Sequence, residues 1–250
     1  MAETSDSRFA PVVLVTGAGQ RVGAAIAHNL HGAGYRIIVH YHRSAAEAKR
    51  LAAELNRERP ESAHALYADL LDAGGRSELV ERAAACWQRL DVLVNNASRF
   101  APTPLGPTSP ADWDGLLAVN LAAPFFLSQA AVPHLREQTG CIVNLVDIHA
   151  ERGLPAYAAY GAAKAGLVCL TRTLAKELAP QIRVNAVAPG AILWPSEDAD
   201  GERQRQVLAR IPLGRTGTVE DVAMAVRYLI EAPYVTGQVL AVDGGRSVNG

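Results

Sequence analysis

The chain has 250 residues with 24 Lys+Arg against 25 Asp+Glu, a formal net charge of −1. That balance lacks the basic footprint of a nucleic-acid binder. A hydrophobic share of 49% with 20% charged residues also excludes wholesale disorder. Cys86, Cys141 and Cys169 are odd in number and far apart, which suits a reducing compartment and buried, inert thiols rather than a metal site.

Residues 1–10 carry acids and hydroxyls before any apolar run, so they read as a tail and not as a signal peptide. No apolar stretch is expected to reach the roughly 18 residues of a membrane span. The expectation is a soluble, cytoplasmic protein with neither a nucleic-acid nor a membrane partner. Val12–Val15 reads as a first strand, followed by Val22, Ala25, Ile26 and Leu30 at helical spacing. Arg36–Tyr41 is the next strand, Ala45–Arg59 a helix stopped by Pro60, and Ala63–Ala68 a third strand. Ser77–Arg89 reads as a helix and Asp91–Asn95 as a strand whose continuous apolar core implies cover on both faces. Asp112–Glu137 reads as helical, with a kink at Pro124 and a near-terminal break at Pro133. Cys141–Val146, Ile182–Val187 and Gln238–Val242 complete the strands, with helices over Tyr157–Leu178 and Val219–Glu231.

This alternation predicts one α/β domain over residues 11–250, a Rossmann-like doubly wound parallel sheet with helices on both faces. The stretch 191–210 differs in texture, with Trp194, Pro195, several acids and Gly201, and is a candidate substrate lid.

Thr16-Gly17-Ala18-Gly19-Gln20-Arg21-Val22-Gly23 lies where the first strand meets the first helix. Backbone N–H groups at a helix N-terminus bind phosphate, and glycine lets the backbone come close. After the second strand, His40-Tyr41-His42-Arg43-Ser44 has no acid to hold ribose hydroxyls, as an NAD site would. Arg43 and Ser44 instead suit a 2′-phosphate, so NADPH/NADP+ is the expected cofactor; the bland alternative is a solvated arginine opening a helix. Tyr160 and Lys164 are four apart on a helix and share a face. An ammonium there would favour the ionised phenol and make Tyr160 a usable proton donor near neutrality.

The turn Thr16–Gly23, Asn95-Asn96-Ala97-Ser98, Asn120, Tyr160–Lys164, Pro189-Gly190 and Asp243-Gly244-Gly245 run in order at the spacing of the short-chain dehydrogenases/reductases, which the chain resembles. Two departures narrow the resemblance. Arg21 stands where that family's turn has its middle glycine, and Asp147 stands thirteen residues before Tyr160, where the family usually has serine. An ionised carboxylate cannot donate to a carbonyl oxygen; it suits a substrate with N–H donors or a C=N bond, unless Asp147 is merely a helix cap or loop acid. With His40–Ala48 and Ser98, Phe100 and Pro102–Leu105, these departures resemble the pteridine reductase branch.

The resemblance implies Asp147, Tyr160, Lys164 and Asn120 as catalytic residues. It implies Gly17, Gln20, Arg21, Val22, Gly23, Tyr41, His42, Arg43, Ser44, Asp69, Leu70, Asn96, Ala97, Ser98, Pro189 and Gly190, with Tyr160 and Lys164, as cofactor contacts. Arg21, Ser98, Phe100 and Trp194, with Asp147 and Tyr160, would meet the substrate, Phe100 stacking a flat heterocycle. A homotetramer is the usual family assembly. The expected reaction is NADPH-dependent reduction of dihydropterin, or of pterin or dihydrofolate. A 3-oxoacyl thioester reductase and a non-catalytic NADPH sensor are the alternatives.

Overall fold

Seven parallel strands pair in the order β3-β2-β1-β4-β5-β6-β7 in the computed structural model, which describes residues 10–193 and 201–249. They are β1 (Val12–Val15), β2 (Arg36–Tyr41), β3 (Ala63–Tyr67), β4 (Val92–Asn95), β5 (Cys141–Leu145), β6 (Arg183–Pro189) and β7 (Val239–Val242). In β1, Val13 and Val15 enter one hydrophobic cluster and Val12 and Leu14 enter another. Side chains alternate across a strand, so a run apolar at every position needs cover on both faces. Helices α1 (Arg21–Gly32) and α2 (Ala45–Glu58) cover the first face, α3 (Ala73–Ala85) the second. The strand order reverses between β1 and β4, and ligands of open α/β sheets bind at such a switch point.

Helix α3 begins at Ala73, a turn before the expected Ser77. Gly74 and Gly75 hide that turn from any propensity argument, but Asp72 caps it by accepting the Gly75 N–H at 2.8 Å. The helical run 110–137 comprises α4 (Pro110–Leu117), a π-helical segment (Ala118–Ala122) and α5 (Ala123–Glu137). Pro124 has no N–H to give the carbonyl of Asn120, which accounts for irregularity just before it. Pro133 makes no break, since the helix continues to Glu137. By length and hydropathy this run passes a membrane-span test, contrary to expectation, with a mean hydropathy of 1.6 in its most apolar window. It is a core helix, burying Leu116, Asn120, Leu127, Ser128 and Leu135 within the protein.

A short helix unmarked in the sequence, α6 (His149–Arg152), follows β5, and α7 (Ala158–Leu178) follows it. The candidate lid holds α8 (Gly201–Leu208), and α9 (Val219–Glu231) is fixed by a capping box between Thr218 and Asp221. Trp194 lies outside the described residues. The cysteines do not share one environment: Cys141 is buried and Cys86 partly so, but Cys169 is exposed on α7, against the expectation of three packed thiols.

Candidate active site

The loops after β1 and β4 lock together at the switch point. Thr16 Oγ1 accepts the backbone N–H groups of Asn96 and Ala97, both at 2.9 Å, while Asn96 Nδ2 donates to the carbonyls of Thr16 and Gly17 at 2.8 and 3.1 Å. A Cβ on Gly23 would fall 2.4 Å from the Gly17 carbonyl oxygen, so no other residue fits there. Arg21 has φ +53°, the left-handed region that glycine enters freely and a branched backbone does not. The missing family glycine is thus replaced at a conformational cost of order 1 kcal/mol, borne to place a guanidinium at the mouth of the turn. The first N–H groups of α1 point there without partners in the helix.

A residue that the sequence did not mark as a site residue holds this turn. His40 is 1% exposed; its Nδ1 accepts the Gly17 N–H at 3.0 Å and its Nε2 lies 3.2 Å from the Ala68 carbonyl, so the proton sits on Nε2. Burial pushes its pKa down to about 4. The unfolded chain, with an ordinary imidazole near 6.5, binds that proton first, so stability is full above 6.5 and falls with acid down to about 4. The expected loss is on the order of 3 kcal/mol over that window. Urea unfolding at pH 7 and pH 4.5 should show it in the wild type and show a flatter dependence in His40→Leu; parallel slopes would contradict it.

A cleft of about 640 Å³ opens beside the turn, lined by Gln20, Arg21, Val22, Ser98, His42, Arg43 and Ser44 among others. Leu193, the last described residue before Trp194, also reaches it. Arg43 is exposed and, among the described residues, has no ion-pair partner. Glu47, one turn into α2, lines the same cleft, an acid that the linear stretch 40–44 did not show. His42 Nε2 lies 3.9 Å from Asp69 Oδ2, which marks the outer edge. Tyr41 is buried with its ring against Tyr67, and Leu70 is buried with its carbonyl taken by Arg76 Nη1 at 2.8 Å, so both act as supports rather than cleft wall. Gly190 is forced, since a Cβ would lie 2.6 Å from Asp243 Cβ, and the Pro189 carbonyl accepts the Ile148 N–H at 3.3 Å.

Asp147, Tyr160 and Lys164 come together where β5 ends against α7. The Tyr160 hydroxyl donates to Asp147 Oδ2 at 2.8 Å, while Asp147 Oδ1 accepts the His149 N–H at 2.8 Å. Lys164 is buried and its Nζ donates to the Leu145 carbonyl at 2.7 Å. Asn120 does not touch them. It is wholly buried, accepts from Ser98 Oγ at 2.6 Å and from the Arg99 N–H, and donates to the carbonyls of Arg99 and Leu116. Its side chain therefore braces the Ser98 loop. Phe100 is 57% exposed, stacked on Tyr157 with centroids 4.3 Å apart and edge-on to Tyr160 at 4.8 Å. Tyr157, one turn before Tyr160, went unmarked in the sequence, as did the buried Asn95–Asn144–Thr171 chain of hydrogen bonds, each 2.9 Å, beneath the site.

The electrostatics correct one expectation. Burial, then the charge and hydrogen bond of Asp147, hold the Tyr160 phenol above its ordinary range. Lys164 does not reverse this, because its Nζ lies 5.8 Å from the ring centroid and points at a backbone carbonyl. Its own pKa is lowered to about 8 by burial, against the pull of Asp147. The phenol stays protonated, as a donor must, with the ammonium over its ring.

The glycine-only cradle, the free N–H groups of α1 and the unpaired Arg43 fit a dinucleotide with its diphosphate at the turn. Parallel sheet, switch-point cleft and Tyr–Lys pair together define a dinucleotide-dependent oxidoreductase. The chain belongs to the short-chain dehydrogenase/reductase family, whose members use NAD(P)H, and the family described as enoyl-(acyl carrier protein) reductase matches residues 17–247. Pteridine reductase 1 of Leishmania tarentolae is 40% identical, covering 97% of this chain and 98% of its own. The granaticin polyketide synthase putative ketoacyl reductase 2 of Streptomyces violaceoruber is 38% identical over 96% of this chain and 98% of its own. A 3-oxoacyl-[acyl-carrier-protein] reductase of Staphylococcus aureus is 38% identical over 93% and 96%.

Proposed function

We propose that the protein is an NADPH-dependent pteridine reductase that converts dihydropterins to tetrahydropterins. The observation that carries this reading is the hydrogen bond from Tyr160 to Asp147 Oδ2 at 2.8 Å, with no hydroxyl donor in that place. The likeness to a pteridine reductase over nearly the whole chain supports it. NADPH, when bound, supplies the hydride that adds to the carbon of a C=N bond. The Tyr160 hydroxyl gives its proton to the adjacent nitrogen, and the oxygen left behind is stabilised by the Lys164 ammonium. Asp147 orients the phenol and favours positive charge on the nitrogen. Phe100 and Tyr157 offer aromatic surface to a flat ring.

The second reading, a 3-oxoacyl thioester reductase, is supported by the two ketoacyl reductases at 38% identity. It requires an alkoxide to form beside a carboxylate, which electrostatics opposes. NADPH oxidation with dihydrobiopterin beside acetoacetyl thioester decides between them: the first reading expects turnover of the pterin, and reduction of the thioester alone overturns it.

Arg43 is expected to select NADPH. A charge-assisted bond to a 2′-phosphate is worth about 1.5–3 kcal/mol, roughly ten- to a hundred-fold in affinity. Arg43→Ala should weaken NADPH by that factor and leave NADH nearly unchanged, as read by fluorescence titration. Equal losses for both cofactors would show that Arg43 does not read the 2′-phosphate.

A further inference from the structure

A second concave site lies beside the catalytic centre. Three chain segments meet there: His149, Arg152 and Leu154 after β5, Arg210 after α8, and Arg246 and Asn249 near the C-terminus, around a cleft of about 190 Å³. Arg152 Nη1 donates to the Arg246 carbonyl, and Asn249 Nδ2 donates to the Arg210 carbonyl at 3.3 Å, so the three segments are tied together. Among the described residues none of these arginines forms an ion pair. The carboxylates around them make their hydrogen bonds elsewhere: Asp243 accepts the N–H groups of Gly245 and Ser247, Asp147 accepts the Tyr160 hydroxyl and the His149 N–H, and Glu151 pairs with Arg172 at 3.3 Å. Burial and the neighbouring Arg152 hold the Arg246 guanidinium below its ordinary range. Asp147 and Asp243 offset part of this positive charge from a distance, and an anion entering the partly enclosed space would offset the rest.

The position of this cleft says where such an anion comes from. One segment runs from Asp147, bonded to Tyr160, past His149, Arg152 and Leu154 to Tyr157, stacked on Phe100. Its two ends belong to the reacting centre and its middle forms the arginine cleft.

We propose that Arg152, Arg210 and Arg246 form an anion subsite that takes the carboxylate or phosphate on the tail of a substrate whose reducible group lies at Tyr160. The subsite rests on the proposed function only for the nature of that reducible group. Under the pterin reading it favours a folate-type dihydropterin, with a dicarboxylate tail, over one with a neutral side chain. Guanidinium groups bind either anion through paired N–H donors, so carboxylate and phosphate are one chemistry here.

The test uses two matched pairs, dihydrofolate against dihydrobiopterin and acetoacetyl-CoA against acetoacetyl-N-acetylcysteamine. Each is measured with the wild type, Arg210→Gln and the double variant R152Q/R210Q. In whichever pair is reduced, the anionic member should have the lower KM in the wild type. Both variants should raise that KM by roughly ten-fold or more, with kcat retained and the neutral member unaffected. The preference should also weaken as salt is raised. Calorimetric binding of the same four compounds with NADP+ present makes the comparison without turnover. If only thioesters react, the pterin assignment falls while the subsite is judged on the thioester pair. A wild type that does not distinguish anionic from neutral members, or variants that affect both alike, overturns the subsite.

Discussion

Tyr160→Phe should lower kcat for the reducible substrate by about 10²–10⁴-fold while leaving NADPH affinity close to that of the wild type. The hydroxyl it removes is 2.8 Å from Asp147 and is the only part of Tyr160 that changes; the ring keeps its packing against Phe100. Under the proposed function, cofactor affinity rests largely on the turn after β1 and on Arg43, so losing the phenol hydroxyl should change it little. Stopped-flow reduction with saturating NADPH, beside fluorescence titration of the cofactor, separates the two effects. The wild-type rate should also fall above about pH 8, because Lys164 is protonated below that value and loses its charge above it. A Phe variant with wild-type kcat would place the proton donor elsewhere.

The sheet and the shared face of Tyr160 and Lys164 were legible because each depends on a repeat within a short stretch. Short β-branched apolar runs such as Val12–Val15, bounded by turn residues, suit strands covered on both faces, and residues four apart on a helix share one face. What escaped depends on residues far apart in the chain. His40 looks like one position of a β pattern, and its role appears only when residues 17 and 68 close on its two ring nitrogens. The stack of Tyr157 on Phe100 joins positions 57 apart in the chain, through a loop whose course no local pattern dictates. Asn120 was marked, and the hydrogen bonds it makes fix Ser98 and Arg99, which no local pattern indicates. The direction of the Tyr160 shift was misread for a related reason. Helical spacing sets which face Lys164 is on, not where its four-carbon stem carries the ammonium, and burial outweighs a charge that points at the Leu145 carbonyl. The arginine cleft, assembled from three separated segments, left no linear trace.

Asp147→Ser should lower kcat for dihydropterin reduction by about 10²-fold or more and raise activity on a carbonyl substrate. Two unit charges 4 Å apart interact by roughly 4 kcal/mol at an effective dielectric near 20, so the sign of this one charge can choose between reactions. Protonation of a C=N nitrogen builds positive charge beside the carboxylate and is favoured; reduction of a ketone builds negative charge on oxygen and is opposed. Serine removes that charge and restores a donor for an alkoxide. It also removes the carboxylate oxygen that accepts the His149 N–H, so a loss of activity could come from a displaced loop. Asp147→Asn separates these causes, since its amide oxygen still accepts from His149 while the charge is gone. If charge is the determinant, both variants lose dihydropterin turnover by similar factors and both gain carbonyl turnover, since each removes the charge and offers a donor. If the loop is the determinant, Asp147→Asn keeps wild-type rates. Unchanged dihydropterin reduction in both would make Asp147 a bystander and leave the pterin assignment resting on likeness to other proteins.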